Sequence, residues 1–506
     1  MNIVNLFLDA ALKFPDSIAL VEGNRRISYA ELEREVKLAA AGLLKKGIKK
    51  GDRVLIFVPM SINLYKTVLA VFHIGATAVF LDEWVNKKRL EQCCKMAECR
   101  AMIGVWKARL LALFSSELRK IRIVLSASVS GDSVLPPVAV ETDDIALLTF
   151  TTGSTGVPKA AARTHGFLYE QFKALSDTID PSSSETDLSN LPIVLLSNLG
   201  TGGTSVIADF KSSKPWKMDP ERMIRSIKEN KVSRITASPY FLLKISDYVI
   251  ENKIELGLQK VFTGGAPVFP EEAQKLMTSF PKARIKIVYG STEAEPVSSV
   301  YAEDLVSSVA DKGLYVGKLY DKIRVEVIPI TEGPITINNE KDLIGIFLAP
   351  GKIGEIIVSG KHVLKQYFRN EEAQKLNKIV TEADVWHRTG DAGYLDHEGK
   401  LYLCGRAKHM IKEDDQWHAP FIWENKLKKI PGVIKGTIVK MDGEILLIIM
   451  KDRGVREEIV KNKLQEIGIS YNVKFVLEIP MDPRHYSKID YDGLIRFLLV
   501  NTKAKQ

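Results

Sequence analysis

Cysteine is scarce. Four in 506 residues, Cys93, Cys94, Cys99 and Cys404, cannot build the disulfide framework of a small secreted domain. The run CCKMAEC has no CxxC pair and no histidine close by, so a metal site is not expected there. Cys404, His409 and His418 form a looser second group. Long apolar runs are also missing. The best, VLAVFHIGATAVFL, is interrupted by His73 and Gly75 and falls short of the roughly 18 residues of a membrane span. The stretch MNIVNLFLDAALKF has no basic leader and carries Asp9 inside its apolar run, which argues against a signal peptide and makes a cytoplasmic protein the expectation. Internal repeats and low-complexity segments are lacking too.

What is present is an ordinary globular composition, 45% hydrophobic and 26% charged, with a formal net charge of +9. Residues 405–506 carry 19 lysines and arginines against 14 acidic residues, and the densest group, Lys426, Lys428 and Lys429, reads as a solvated helix face. There is no basic stripe with interleaved aromatics, so nucleic acid is not an expected partner. A mild positive balance suits a phosphate-bearing substrate.

Helical periodicity alternates with short β-branched runs. ISYAELEREVKLAAAGLLKKG predicts an amphipathic helix stopped at Gly47, DRVLIFVPM a buried strand, INLYKTVLAVFHIG a second helix and TAVFLD a second strand. Strand–helix–strand order implies parallel pairing in a layered core. The order recurs in VSRITASP, FLLKISDYVI, LQKVFTGGAP and RIKIVYGSTE, whose strands end in Gly- or Pro-bearing turns. Open α/β sheets bind ligands at that edge. From about residue 320, IRVEVIPI, GPITI and GEIIVSG predict the antiparallel strands of a compact β region. From about 405, TIVKM, EILLIIM, VKFVLEI and the helix REEIVKNKLQEIG predict a separate lobe. The expected fold is therefore α/β: a large amino-terminal lobe over 1–403, of layered α/β subdomains plus a β region, and a small α+β lobe over 404–506.

The most informative segment is LLTFTTGSTGVPKAAARTHG, in which an apolar strand runs into Thr151, Thr152, Gly153, Ser154, Thr155, Gly156, Val157, Pro158 and Lys159. Glycines let a backbone approach phosphate closely, hydroxyls and N–H groups donate to its oxygens, and one lysine supplies charge. The loop is not GxxxxGK[ST], because no Ser or Thr follows Lys159.

This segment resembles the signature of the adenylate-forming superfamily, which holds acyl-CoA synthetases, non-ribosomal peptide synthetase adenylation domains and luciferases. The resemblance continues, in order, along nearly the whole chain. Thr263-Gly264-Gly265-Ala266-Pro267 is similar to that family's adenine-lining strand-turn, and Tyr289-Gly290-Ser291-Thr292-Glu293 to its aromatic-Gly-x-Thr-Glu motif. Arg388-Thr389-Gly390-Asp391 is similar to its Thr-Gly-Asp motif, and Gly405-Arg406 to the start of its hinge motif. Lys488, in PRHYSKIDY, stands where the family's carboxy-terminal lysine stands.

The resemblance implies an enzyme that makes a carboxylate attack the α-phosphate of ATP, with pyrophosphate leaving. Two anions meet in that step, so cations and oriented donors are needed. It implies that residues 151–159 cradle the β- and γ-phosphates, Thr292 contacts the α-phosphate and Glu293 holds Mg²⁺. It implies further that Tyr289 stacks on adenine, that Asp391 bonds the ribose hydroxyls with Arg406 assisting, and that Lys488 reaches the α-phosphate and the substrate carboxylate from a mobile small lobe hinged at Lys408. Coenzyme A or a carrier protein is the implied acyl acceptor.

Several positions depart from the pattern. Ala160 replaces a glycine after Pro-Lys, Leu195 replaces the histidine of a Pro-x-x-His motif, Asp415 replaces the glycine that lets pantetheine pass, and Ser487 replaces a glycine before Lys488. A carboxylate at 415 is bulkier than glycine and repels a thiolate. The motif set GSTGVPK, GGAPVFP, WHRTGDAGYLDHEGKLYLCGR and DPRHYSKI is most similar to a fatty-acid CoA ligase-like branch that includes olefin β-lactone synthetases, which need no CoA. Thiol transfer is the first reading; lactone closure and amide or carrier-protein transfer stay open. So does a degenerate binding protein, although Lys159, Glu293, Asp391, Arg406 and Lys488 are all kept. Residues 190–245 are mostly apolar with Asp209 as the nearest acid, expected at the surface, so a hydrophobic carboxylic acid is the expected substrate.

Overall fold

The computed structural model describes residues 1–81, 87–111, 114–151, 158–210, 214–308, 313–337, 339–482 and 486–503. The fold is α/β, a large amino-terminal part of sheets and helices followed by a smaller carboxy-terminal one. Local signals act as the sequence predicts. The helix Tyr29–Lys45 starts on a capping box, in which Ser28 Oγ accepts from the Glu31 N–H and the Glu31 carboxylate accepts from the Ser28 N–H at 2.9 Å. It stops before Gly47, whose φ is +83°.

Two sheets carry the large part. One has six strands: Ile123–Leu125, Ala101–Gly104, Arg53–Phe57, Thr77–Phe80, Ile145–Thr151 and Lys159–Thr164. Its pairs are parallel except the last, so the Gly/Ser/Thr-rich segment links two antiparallel strands. The other has fourteen strands and includes the parallel trio Arg234–Ala237, Lys260–Gly264 and Arg284–Ser291. Helices Pro239–Glu251 and Pro270–Ser279 make the crossovers, each with proline at its first turn, where a missing N–H costs nothing. The antiparallel strands expected beyond residue 320 continue this sheet through the pair Ala294–Tyr301 and Leu314–Leu319.

GPITI is not a strand. Gly333 has φ +81° and Pro334 has no N–H to give a ladder, so the segment turns and lays Ile335 and Ile337 on a core of Ile328, Leu343 and Trp386. Among the described residues no helix is long and apolar enough to cross a membrane.

The carboxy-terminal part has its own sheet, Val433–Met441, Glu444–Lys451 and Asn472–Val476, and apolar clusters drawn from residues 411–498. Lys428 is not on a solvated face. Its ammonium pairs with Glu272 of the large part and lies 4.5 Å from the Phe269 ring centroid, because Phe269 and Phe421 pack together across the junction.

Glu424, in the helix Pro420–Lys428, is buried and accepts a hydrogen bond from Tyr491 Oη. Burial pushes its carboxyl up from 4.5 to about 7. The native state therefore holds a proton that the unfolded chain has already released. Its stabilising effect is full below pH 4.5 and is lost as pH rises through about 7. Glu424→Gln is expected to gain thermal stability relative to the parent chain across that interval. Thermal midpoints of both proteins at several pH values check this; a constant difference between them contradicts it.

Candidate active site

The carboxyl edge of the parallel trio holds the first group. Lys260–Gly264 runs into Gly265, at φ +81°, then Ala266 and Pro267. A Cβ on Gly264 would lie 2.5 Å from the Val288 carbonyl, so glycine is required for the next strand to pass. That strand ends with Tyr289, Gly290 and Ser291, and the chain turns through Thr292 and Glu293 before returning as Ala294–Tyr301. From the antiparallel side, the strands Val385–Leu395 and Leu401–Arg406 place Asp391 opposite Arg406.

Asp391 gathers this group. Its Oδ2 accepts from Tyr289 Oη at 2.8 Å, and its Oδ1 lies 3.1 Å from Arg406 Nη1. Arg406 also donates to the Thr389 carbonyl at 3.2 Å, and its guanidinium stays 43% exposed. Asp391 strengthens the proton's hold on Arg406, while burial and then Asp391 push the Tyr289 hydroxyl well above its usual range.

Glu293 gathers a second group, of which the sequence singled out Lys159 but not Tyr367, Asn377, Lys378 or His387. Its Oε1 accepts from Tyr367 Oη at 2.9 Å. Lys159 Nζ donates to Asn377 Oδ1 at 2.9 Å and lies 6.0 Å from the Tyr367 ring centroid; Lys378 Nζ lies 5.4 Å from it. Burial lowers Lys378 to about 7 even though Glu293 opposes it, and burial together with Lys378 lowers His387 to about 3. Burial alone would raise Glu293, but His387, Lys378, Tyr367 and Lys159 outweigh it and its carboxyl stays below the usual range. At pH 7 His387 is neutral and Lys378 is only part-protonated, so Lys159 and the Tyr367 hydroxyl are the constant partners of the Glu293 charge. Lys378 and His387 were illegible because they sit in a polar stretch and become buried only by tertiary packing.

The remaining predicted residues are placed as follows. Thr152, Gly153, Ser154, Thr155 and Gly156 lie outside the described residues, as does the side chain of Thr151, but Lys159 starts the returning strand beside Glu293. The Thr292 carbonyl accepts from Arg163 Nη2 at 2.9 Å. Lys488 closes a turn in which the Asp482 carboxylate accepts from the N–H groups of Ser487 (3.1 Å) and Lys488 (2.9 Å). Asp415 projects fully into solvent, 3.9 Å from Lys412. Lys408 pairs with Asp492 at 2.6 Å, and Asp209 is exposed and pairs with Arg222. The Leu195 side chain lies outside the described ones.

No group of three metal-binding side chains is found among the described residues, CCKMAEC included. Cys404, His409 and His418 are not a cluster: Cys404 is buried, His409 stacks on Tyr491 and His418 meets Tyr471. The half-buried carboxylate of Glu293 nevertheless suits Mg²⁺, which takes most of its ligands from phosphates and water rather than from a protein cage.

The AMP-binding enzyme family matches residues 7–368. An olefin β-lactone synthetase of Xanthomonas campestris pv. campestris is 31% identical over 414 residues, 76% of this chain and 73% of that protein. A 2-succinylbenzoate–CoA ligase of Bacillus licheniformis is 27% identical over 478 residues, 91% of this chain and 92% of that one. Among solved structures, O-succinylbenzoate coenzyme A synthetase of Bacillus subtilis in complex with ATP and magnesium superimposes with TM-score 0.80 at 20% identity, covering 97% of this chain and 99% of that one.

Proposed function

Since the chain belongs to the AMP-binding enzyme family, we propose that it activates a hydrophobic carboxylic acid as its acyl adenylate, releasing pyrophosphate, and passes the acyl group to a thiol such as coenzyme A. The observation that carries this reading is the presence of two neighbouring charge groups: Asp391 with Tyr289 and Arg406, and Glu293 with Lys159 and Tyr367. The first suits a nucleoside and the second suits its phosphates.

In this reading Asp391, an acceptor-only carboxylate, takes the ribose hydroxyls, with Arg406 paired beside it at 3.1 Å. Tyr289 and the Gly264–Pro267 turn flank adenine. Lys159 and residues 151–156 bind the β- and γ-phosphates, and the Thr292 hydroxyl donates to the α-phosphate. Glu293 holds Mg²⁺, which when bound offsets phosphate charge. Lys488, from a small lobe whose boundary we place near residue 404, meets the charge that develops as the carboxylate attacks.

A second acceptor is favoured by a specific observation. The Xanthomonas relative is a β-lactone synthetase, and Asp415 and Leu195 stand where thiol-transferring members carry glycine and histidine. In that reading the 3-hydroxyl of the acyl group attacks its own carbonyl and AMP leaves. Wild-type protein given ATP, Mg²⁺ and 3-hydroxy fatty acids, with and without CoA, separates the two. The thiol reading expects AMP release to become catalytic only with CoA, and Asp415→Gly to speed thioester formation about threefold, a change of about 0.7 kcal/mol. AMP and a lactone, or its decarboxylated alkene, formed without CoA overturn the thiol reading.

A further inference from the structure

Ser487, where related chains are expected to carry glycine, has a partner in the structure that gives it a task. The helix Pro239–Glu251 starts just beyond the carboxyl end of the strand Arg234–Ala237. Ser238 makes no side-chain cap for it, and Pro239 has no N–H. The first N–H to point out of the helix is that of Tyr240, and it donates to Ser487 Oγ at 3.1 Å, from 247 residues away. The cap of this helix is thus supplied by the small lobe.

Tyr486 adds apolar contact at the same place. Its backbone is left-handed, at φ +53°, which turns the ring outward onto Trp216 at 5.6 Å and Tyr240 at 5.2 Å between centroids. Asp482 ties the turn together, giving its N–H to the Lys488 carbonyl at 2.9 Å while its carboxylate takes the Lys488 N–H. The backbone of Lys488 is therefore fixed to a turn that is itself fixed to the large lobe. The docking point is at the active edge, because Arg234–Ala237 is the parallel neighbour of Lys260–Gly264, which leads into Gly265–Pro267.

We propose that Tyr486 and Ser487 are positioning residues for Lys488: they seat its turn on the amino end of the helix Pro239–Glu251 and so set the small lobe in the pose for adenylation. A glycine at 487 would leave the Tyr240 N–H without this cap. The inference rests on the role assigned to Lys488 above.

The test compares Ser487→Ala, Tyr486→Ala, Tyr486→Phe and Lys488→Ala with wild type. The acid used is the one that wild type activates fastest from a saturated fatty-acid series. Ser487→Ala is expected to lower the turnover number for pyrophosphate release about fivefold, in keeping with the loss of one cap. Tyr486→Ala is expected to lower it about tenfold or more, as loss of a stacked aromatic contact would. The KM for ATP should stay within about twofold and consumption of preformed acyl adenylate should be unchanged, because only delivery of Lys488 is impaired. Tyr486→Phe should restore the wild-type rate. Hydrogen exchange at the Tyr240 amide should quicken in Ser487→Ala, a readout that needs no substrate.

Wild-type turnover in both the Ser487 and Tyr486 alanine variants, beside a disabled Lys488→Ala, overturns the docking proposal and leaves the role of Lys488 standing. Equal losses in adenylation and in adenylate consumption, or unchanged Tyr240 exchange, also overturn the docking proposal. An active Lys488→Ala overturns both.

Discussion

Lys488→Ala is expected to lower the turnover number for pyrophosphate release by about 100-fold or more while the KM for ATP stays within about twofold. The contrast follows from what a cation does in this reaction. In the proposed site ATP would already have Lys159, which lies beside Glu293, and the nucleoside would have Asp391 with Arg406, so the ground state should lose little. The charge that appears as the carboxylate bonds to the α-phosphate exists only along the reaction path, and a donor aimed at it acts on turnover. Steady-state kinetics with saturating acid measure both parameters. A turnover within about threefold of wild type, under roughly 0.7 kcal/mol, contradicts the assignment.

Glu293→Gln is expected to cost about 100-fold in turnover and to raise the Mg²⁺ concentration for half-maximal pyrophosphate release by about tenfold. The change keeps the shape of the side chain and leaves an oxygen to accept from Tyr367 Oη. What it removes is the negative charge that Lys159 and Lys378 surround. Lys378 then lacks the group that opposes its burial, so its ammonium should release its proton below the present value of about 7. Tyr367→Phe is the companion variant. It deletes the hydrogen bond and keeps the charge, and it should leave the Mg²⁺ requirement within about threefold. A Mg²⁺ titration of each variant checks this; an unaltered Mg²⁺ requirement in Glu293→Gln contradicts the metal role.

Much of this site was legible because its residues belong to local signals. Asp391 and Arg406 were singled out by the Thr-Gly-Asp and Gly-Arg motifs, and they meet because the strands Val385–Leu395 and Leu401–Arg406 pair in a register that sets them opposite each other. The Gly264 turn and the Tyr289–Glu293 turn end strands of one parallel set, so they share an edge by topology. The residues that stayed hidden act through distance. Lys378 and His387 look like surface residues in KLNKIVTEADVWH until the strand Lys378–Val380 pairs with Val385–Leu395 and closes over Glu293. Ser487 was visible as a departure, but its partner at Tyr240 is reached only across the lobes. GPITI failed for a local reason, since its apolar residues mimic a strand while Gly333 and Pro334 deny it a ladder. Lys428 failed for the opposite reason: its helix reading holds, but the aromatic contact of Phe421 with Phe269 brings it against Glu272.

The most direct measurement of the central claim is exchange of labelled pyrophosphate into ATP by wild-type protein, with Mg²⁺, no acyl acceptor, and a panel of fatty acids, hydroxy fatty acids and amino acids. The reaction proposed here is reversible at the adenylate, so label should enter ATP only when a hydrophobic acid is present and should not do so with amino acids. Exchange that is absent with every fatty acid, or ATP cleavage to ADP and phosphate instead, contradicts the account.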